Sequence, residues 1–306
     1  MSNLNPIISI YGPTNSGKTA IAIELVKKFS AEIISVDSVQ IYKHASIGSN
    51  KPEKRILEKY PHHLLDCIEP DKTYSVGSFK KDVLEIISKN DHQNKNSILV
   101  GGTMMYFYSL FNGLANLPEQ DSKIRKKLDQ QENELGLKYL HTELKKVDPV
   151  SAARIHENDK QRVKRALEIF HITGKSMDQL KASSPKEILG ERKSFSFAIV
   201  PEDRKKFKGD LKIRFENMIA AGLIEETEML MNKFSKDIPI LKAVGYKQVV
   251  EFLENKLSRA EMIERATNAN YKLAKRQMTW LNKLNPTETF SCNQSNIIIK
   301  ILSYLQ

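Results

Sequence analysis

The chain has 306 residues, of which 40% are hydrophobic and 28% are charged. This length predicts about two domains with a buried core, and this composition excludes an intrinsically disordered protein. No apolar run is long enough to span a membrane, and the first ten residues lack the features of a secretory signal. The two cysteines, Cys67 and Cys292, are too few for a disulfide framework. We therefore expect a cytoplasmic protein without membrane association.

The formal net charge of +11 is unevenly distributed along the chain. Residues 1–120 carry 13 Lys and Arg against 12 Asp and Glu, whereas residues 121–193 carry 17 against 12 and residues 194–306 carry 18 against 13. This distribution suits a nearly neutral catalytic core whose later elements bind a polyanion. A positive surface that serves only solubility explains the same numbers equally well.

The first predicted elements form a βαβ unit. An apolar strand at 6–10 leads into a glycine-containing turn, a periodic helix from Lys18 to Phe29 and a second strand from Glu32 to Asp37. A third apolar run occupies 97–100. Strands that alternate with helices predict an α/β fold with a parallel sheet, helices on both faces and ligands at the carboxyl ends of the strands. Together with the glycine loop at 12–19 described below, this predicts the P-loop NTPase-like kind of α/β fold.

The later part of the chain is predicted to be mostly helical. Residues 121–193 show a charged helical pattern without clear strands, bracketed by Pro118 and by SSP at 183–185, and we interpret them as a helical insertion. The strand-like residues 195–200 return the chain to the sheet. Further helices are predicted at 203–232, 242–254 and 259–283. The catalytic core is therefore predicted in two parts, 1–120 and 194–306.

The sequence GPTNSGKT at 12–19 matches the P-loop pattern GxxxxGK[ST] and lies in the required context, after a strand and at the start of a helix. Gly12 and Gly17 let backbone amides converge on phosphate oxygens at a helix N-terminus. Lys18 supplies a positive charge, and the Thr19 hydroxyl is suited to bind Mg²⁺. The predicted diphosphate-binding residues are Gly12, Pro13, Thr14, Asn15, Ser16, Gly17, Lys18 and Thr19, with Thr19 also the predicted metal ligand.

The third strand does not end in the aspartate with which a nucleotide hydrolase usually holds its metal ion, because Gly101, Gly102 and Thr103 follow it. The loop therefore predicts a phosphate or pyrophosphate ligand without specifying ATP. Asp37 ends the second strand, where it is able to accept a proton from a nucleophile or to cap the following turn. Thr103 is likewise suited to reach substrate or to cap a helix.

Eight sequence blocks, in order along nearly the whole chain, resemble the tRNA dimethylallyltransferases, also called tRNA isopentenyltransferases. The blocks are GPTNSGKT at 12–19, DSVQIY at 37–42, IGSNKP at 47–52, PHHLLD at 61–66, VGGTMMY at 100–106, NDKQRVKRALE at 158–168, AVGYKQ at 243–248 and LAKRQMTW at 273–280. The resemblance implies transfer of a dimethylallyl group from dimethylallyl diphosphate to N6 of the adenosine 3′-adjacent to the tRNA anticodon. The products would be N6-isopentenyladenosine and diphosphate.

The same resemblance implies roles for individual residues. Asp37 would orient the adenosine N6 and take its proton, while Arg214 and the P-loop with Mg²⁺ would stabilise the leaving diphosphate. Thr103 would contact substrate. In the block at 158–168, the spacing of Val163, Ala166, Leu167 and Phe170 also predicts a core-facing helix side. The residues predicted to lie against tRNA are Asp37, Ser38, Val39, Gln40, Thr103, Arg125, Gln161, Arg162, Val163, Lys164, Arg165, Gly245 and Tyr246.

Three other functions remain open on the sequence. A small-molecule kinase would share the P-loop, and an adenylate isopentenyltransferase would prenylate a free nucleotide, although the basic insertion argues against it. A non-enzymatic RNA-binding module would explain the charge but neither the P-loop nor Asp37. His62 and His63 are predicted to be structural, since adjacent side chains on an extended segment diverge and no ligand cluster completes a metal site. A monomer is expected.

Overall fold

The computed structural model describes residues 4–113, 117–182, 189 and 192–305. The chain forms two compact units, one of Met1–Tyr108 with Glu191–Gln306 and the other of Ser109–Gly190. The insertion predicted at 121–193 falls largely in the second unit. The SSP segment at 183–185, which was predicted to bracket it, lies outside the described residues.

A parallel β-sheet forms the centre of the first unit. Its strands are β1 (Ile7–Tyr11), β2 (Ala31–Val36), β3 (His62–His63), β4 (Asn96–Gly101), β5 (Ser194–Val200) and β6 (Glu288–Ser291). The strand order is β3-β2-β4-β1-β5-β6, and every described pairing is parallel. The predicted α/β fold is confirmed. The short edge strands β3 and β6 were not predicted, because two and four residues are too few for a recognisable pattern.

Helices surround the sheet and fill the second unit. In chain order they are α1 (Lys18–Val26), α2 (Lys54–Lys59), α3 (Val76–His92), α4 (Met104–Asn112), α5 (Ser122–Leu135), α6 (Leu137–Val147), α7 (Pro149–Arg154), α8 (Lys160–Thr173), α9 (Met177–Ala182), α10 (Arg204–Ala220), α11 (Leu223–Lys233), α12 (Tyr246–Leu253), α13 (Arg259–Leu284) and α14 (Ile297–Ser303). A 3₁₀ helix spans Pro239–Lys242. Among the described residues, no helix is both long and apolar enough to cross a bilayer.

The core of the first unit lies against the central strand β1, whose five residues are all buried. This burial on both faces is typical of a parallel sheet covered by helices on each side. On one face Ile8 and Ile10 belong to a buried cluster with Leu25 of α1 and Ile301 of α14. On the other, the ring of Tyr11 lies 5.1 Å from that of Phe107 in α4. The P-loop therefore starts from a fully buried strand.

The helix predicted at 203–232 is two helices, and this prediction was wrong in that respect. Gly222 lies between α10 and α11 with φ 103°, a conformation that a helix interior does not allow and that glycine adopts at little cost. The 3₁₀ turn at Pro239–Lys242 and Gly245, with φ 98°, similarly delay the start of α12 to Tyr246. The prediction for 259–283 is confirmed by α13, which opens with a capping box at Ser258 and Glu261.

The second unit is built from α5 to α9, and the described residues in it form helices and loops, as predicted. Its core contains Leu128, Leu140, Leu144 and Leu167. Val163 is completely buried in the same cluster. The core position predicted for Val163 from helical spacing is therefore confirmed, whereas its predicted contact with tRNA stays a prediction.

Candidate active site

The loop of residues 12–19 leaves β1 under tight steric constraint. A Cβ at Gly12 would lie 2.1 Å from the carbonyl oxygen of Ile199 in β5, so only glycine fits at this exit from the sheet. Gly17 precedes α1 in the left-handed conformation, with φ 78°, and Asn15 adopts φ 65°. Asparagine tolerates this region better than most residues. The loop has the turn geometry expected of a phosphate cradle.

Lys18 is folded back onto its own loop. Its Nζ donates hydrogen bonds to the Pro13 carbonyl at 2.5 Å and to Ser16 Oγ at 3.1 Å. Burial lowers the pKa of Lys18 to about 7, a shift that the charge of Asp37 opposes and that of Arg214 reinforces. Among the described residues, the charge of Asp37 does not offset the burial of this ammonium group, an arrangement expected of a lysine that awaits an anionic ligand.

Asp37 directly follows β2 and lies half-buried beside the P-loop. Its Oδ1 accepts hydrogen bonds from the backbone amides of Val39 at 2.8 Å and Gln40 at 3.3 Å. Burial raises the pKa of Asp37, while these two donors and the charges of Lys18 and Arg214 oppose the shift. One oxygen therefore caps the turn, and Oδ2 takes no part in these two bonds. The capping and catalytic roles considered for Asp37 are compatible.

Thr103 joins the ends of two neighbouring strands. Its backbone amide donates to the Val36 carbonyl at 3.2 Å, and its Oγ1 accepts from the Ser38 amide at 3.0 Å. A Cβ at Gly101 would lie 2.0 Å from the Val36 carbonyl oxygen, so glycine is required for β4 to end this close to β2. The structure thus brings Thr103 next to the turn that begins at Asp37, as their places at strand ends predicted.

Arg214 reaches the P-loop from α10, about the middle of that helix. Its Nη1 donates a short hydrogen bond to Thr14 Oγ1. Burial lowers the pKa of Arg214, and the charge of Asp37 opposes this shift. Lys18, Asp37 and Arg214 therefore influence one another electrostatically, although they come from three separate parts of the chain.

A cavity of about 990 Å³ opens beside this cluster. The P-loop contributes Asn15 to its wall, α10 contributes Arg214 and Asn217, and the loop after β2 contributes Asn50 and Lys51. Arg214 thus faces both the P-loop and a space large enough for a substrate.

Gln40 supports the loop that carries Asn50 in the cavity wall. Its Oε1 accepts from Ser35 Oγ at 2.9 Å, and its Nε2 donates to the carbonyls of Ser49 and Asn50 at 3.3 and 3.0 Å. The predicted contact of Gln40 with tRNA stays a prediction. Ser38 and Val39, predicted with it, lie in the same turn, where Ser38 is exposed and Val39 half-buried.

Tyr246 and Gly245 were predicted to lie against tRNA, and these contacts stay predictions, although the structure buries both residues. The Tyr246 ring packs on Gly48, where a Cβ would come within 2.3 Å of it. Its hydroxyl donates to Glu226 Oε1 at 2.6 Å. The amide of Gly245 donates to Gln248 Oε1 at 2.9 Å and starts α12.

Glu226 in α11 is the residue on which this arrangement depends. Besides the Tyr246 hydroxyl, its carboxylate accepts the backbone amides of Ser46, Ile47 and Gly48 at 2.7, 2.8 and 2.9 Å. These are consecutive residues of the loop that lines the cavity. No local pattern in the sequence points to Glu226, because the three loop amides that it accepts lie about 180 residues earlier.

We expect Glu226→Gln to lower the free energy of unfolding by about 2–3 kcal/mol. The NH₂ group of the new glutamine would face backbone N–H donors, and the hydrogen bonds to a charged carboxylate would be lost. Thermal unfolding measures this, with a drop in Tm of several degrees. Glu225→Gln is the matched control, since Glu225 is the exposed neighbour in the same helical turn. Equal drops for both variants would contradict the assignment.

Several charged residues of the second unit pair with one another. Glu168 is fully buried and accepts hydrogen bonds from Arg125 Nε at 2.9 Å, Arg165 Nη1 at 2.6 Å and the Asp121 amide at 2.9 Å. Lys164 pairs with Asp129 and Glu132. The tRNA contacts predicted for Arg125, Lys164 and Arg165 stay predictions. In the structure, Arg125 and Lys164 join α5 to α8, while Arg165 bonds Glu168 of its own helix and the Pro118 carbonyl.

Gln161 and Arg162 are the exposed residues among those of the second unit that were predicted to lie against tRNA. The Arg162 side chain is 74% exposed even though it pairs with Asp159 at 3.0 Å. A surface ion pair of this kind contributes little to stability and leaves the guanidinium available to a phosphate.

Arg162→Ala is expected to weaken tRNA binding and to reduce the slope of log Kd against log salt by about one phosphate contact, with Tm unchanged. Arg125→Ala is expected to lower Tm markedly, since it leaves the buried Glu168 carboxylate with one charged partner fewer. Salt titrations of tRNA affinity and thermal unfolding of both variants test this contrast. A loss of Tm in Arg162→Ala would refute it.

The histidines behave as structural residues, as predicted. His62 Nδ1 lies 2.7 Å from the Tyr60 carbonyl, and His63 contacts Glu32. Within the described part of the chain, no three His, Cys, Asp or Glu side chains cluster as a metal site would require.

The parallel sheet, the glycine loop between β1 and α1, and the polar strand ends beside it define an α/β protein with a P-loop NTPase-like fold. The IPP transferase family matches residues 40–284. A tRNA dimethylallyltransferase from Nitrosomonas eutropha is 41% identical over 302 residues, which cover 98% of this chain and 95% of that protein. This chain belongs to the IPP transferase family.

Solved structures agree with this assignment. The full-length tRNA isopentenylpyrophosphate transferase from Bacillus halodurans has a TM-score of 0.70 and 29% identity, covering 98% of this chain and 95% of that one. A eukaryotic dimethylallyltransferase described as acting on tRNA has a TM-score of 0.82, covers 98% of this chain and 77% of that one, and is 24% identical. At that identity the likeness supports the fold alone.

Proposed function

We propose that this enzyme transfers the dimethylallyl group of dimethylallyl diphosphate to N6 of the adenosine 3′-adjacent to the anticodon of a tRNA. The observation that carries the proposal is the meeting of Lys18, Arg214 and Asp37 at the carboxyl ends of parallel strands. Two cations suit a diphosphate leaving group, and a carboxylate suits an amine nucleophile. Family membership and the names of the relatives support the same reaction.

The leaving group is the first requirement of the chemistry. As the bond between the allylic carbon and the diphosphate oxygen breaks, its electron pair moves to that oxygen. Lys18, Arg214 and the amides at the start of α1 stabilise the developing negative charge, because they are fixed in place before the reaction begins. Arg214 is oriented by its bond to Thr14.

Mg²⁺ fits the residues of this loop. The ion usually keeps several waters and binds substrate phosphates with few protein ligands, so the absence of a carboxylate cluster among the described residues is compatible with it. The Thr19 hydroxyl, in the first turn of α1, is the side chain that would hold it. When bound, Mg²⁺ neutralises charge on the diphosphate.

The nucleophile is the second requirement. The N6 lone pair forms the new carbon–nitrogen bond, and the proton lost from N6 passes to the Asp37 carboxylate. Burial raises the pKa of Asp37, which makes it a stronger base than an exposed aspartate. The amides of Val39 and Gln40 fix Oδ1 and so orient the carboxylate.

The target adenosine has to leave the base stack to reach Asp37, as in other enzymes that act on a base. The basic residues 121–193 and 194–306 would bind the phosphates of the anticodon loop, with the exposed Arg162 among them. We further propose that the enzyme acts in the cytoplasm as a monomer.

The decisive experiment incubates the protein with dimethylallyl diphosphate, Mg²⁺ and unmodified tRNA, and analyses the nucleosides by mass spectrometry. We expect N6-isopentenyladenosine. Prenylation of AMP in preference to tRNA would instead indicate an adenylate isopentenyltransferase. ATP consumption without prenyl transfer would indicate a kinase, and tRNA binding without product or sensitivity to diphosphate would indicate an RNA-binding module.

A further inference from the structure

Gln277 bridges two loops of the site from the middle of α13. It is 9% exposed and lies on the buried side of the helix with Ala274 and Leu281. Its Oε1 accepts a hydrogen bond from the Thr14 amide in the P-loop at 3.3 Å, and its Nε2 donates to the Gly102 carbonyl at 2.8 Å. Because a backbone amide only donates and a carbonyl only accepts, these partners fix the orientation of the side-chain amide.

The Gln277 side chain approaches Gly102 so closely that the bridge depends on glycine at this position. A Cβ at Gly102 would lie 2.6 Å from Gln277 Nε2 and 3.5 Å from the Gly12 carbonyl oxygen. Any larger residue would displace the glutamine. Helix α13, the start of the P-loop and the turn after β4 therefore meet in direct contact, and glycine at 102 is what allows it.

The two residues that Gln277 bonds are each connected to a proposed catalytic group. On one side, Thr14 also accepts the hydrogen bond from Arg214. On the other, Gly102 is followed by Thr103, which binds the amide of Ser38 next to Asp37. A continuous set of contacts thus joins the group that stabilises the leaving diphosphate to the turn that orients the nucleophile.

We propose that Gln277 is a positioning residue that sets the spacing between the diphosphate-binding loop and the turn carrying Thr103 and Asp37. The inference rests on the proposed function, since it concerns the same site. Transfer requires the allylic carbon and N6 to meet in line, and misplacement by about 1 Å is able to cost about 10²-fold in rate. Glutamine suits this task because one planar group supplies both the donor and the acceptor.

The alternative is that Gln277 only holds α13 on the sheet. Two variants separate these roles. Gln277→Met keeps the length of the side chain but removes both bonds, and Gln277→Asn keeps the amide on a stem one methylene shorter, so that it reaches at most one loop. Thr279→Ala is the matched control, since Thr279 is exposed two residues further along and its hydroxyl donates to the Lys275 carbonyl of its own helix.

The measurements are Tm, the Kd of inorganic pyrophosphate with Mg²⁺ by calorimetry, and kcat for prenyl transfer at saturating substrates. For Gln277→Met we expect a fall in kcat of about 10²-fold and a pyrophosphate Kd weakened about 10-fold, with a smaller loss for Gln277→Asn. Thr279→Ala should match the wild type in all three.

A lower Tm with unchanged kcat and pyrophosphate Kd in both variants would overturn the proposal in favour of a purely structural role. The pyrophosphate measurement does not depend on prenyl transfer. If the wild type bound pyrophosphate but modified no tRNA, the proposed function would fail, while a weakened Kd in Gln277→Met would still support the effect of Gln277 on the P-loop. If Gln277→Met did not fold, Gln277→Asn would decide by the same criteria.

Discussion

Asp37→Asn is expected to lower kcat for prenyl transfer by about 10³-fold, within the range usual for loss of a general base. Asparagine has nearly the same shape, and its Oδ1 is able to accept the amides of Val39 and Gln40, so the turn should survive. The tRNA Kd and Tm should therefore stay close to the wild-type values. Asp71→Asn serves as control, since Asp71 is an exposed aspartate in the same unit. Near-normal turnover of Asp37→Asn would exclude the base role.

The pH profile of the wild-type enzyme tests the same residue independently. Asp37 must be ionised to accept the N6 proton, so kcat/KM should fall as the pH decreases through its pKa. Because burial raises this pKa, the acidic limb should lie above the pH of about 3.9 expected for an ordinary aspartate. Asp37→Asn should lack this limb. A limb of the same position in both proteins would assign it to another group.

Lys18→Met is expected to weaken the Kd of pyrophosphate by about 10²-fold, since a buried charge-assisted bond to the anion is lost. The variant should be at least as stable as the wild type. The low pKa of Lys18 shows that burying its ammonium group is unfavourable in the free protein, and methionine removes that cost. Calorimetry with pyrophosphate and thermal unfolding measure the two effects.

The control for this variant is Lys28→Met, which removes an exposed lysine just beyond the end of the same helix. It should leave the pyrophosphate Kd unchanged. Retention of wild-type affinity in Lys18→Met would show that the loop binds its ligand without this charge and would undermine the proposed cradle.

Local features of the site could be predicted from the sequence. The P-loop is contiguous, and its spacing of Gly12, Gly17 and Lys18 determines how the turn is built. Asp37 and Thr103 follow two parallel strands, whose carboxyl ends meet at one edge of the sheet. Their proximity could therefore be deduced before any tertiary contact was known.

Residues that complete the site from distant helices could not be found in this way. The bonds of Gln277 to Thr14 and Gly102 span 263 and 175 residues, and no periodicity encodes such contacts. A signal for Gln277 does exist, since it is an amide on a mostly apolar side of α13. Helix α3 could also have been predicted, because its buried residues Phe79, Val83 and Ile87 are spaced at helical intervals. This pattern was not used, and the helix was not predicted.

The structure buries Val163 and Tyr246, two of the residues predicted to lie against tRNA. Resemblance to a family identifies a block of residues but does not separate side chains that touch substrate from those that support them. For Val163 the helical spacing already indicated the core, and this local argument was the better guide. For Tyr246 the partner that explains its burial is Glu226, which is visible only in the folded chain.

The carboxylate of Glu226 occupies the place that an anion would take in a nest of three consecutive amides. The protein carries this anion itself, so the loop at 46–48 has its final shape whether or not a substrate is present. A wall of the cavity beside Arg214 is thereby preorganised. Binding then loses less conformational entropy than it would if the same loop had to become ordered around each incoming substrate.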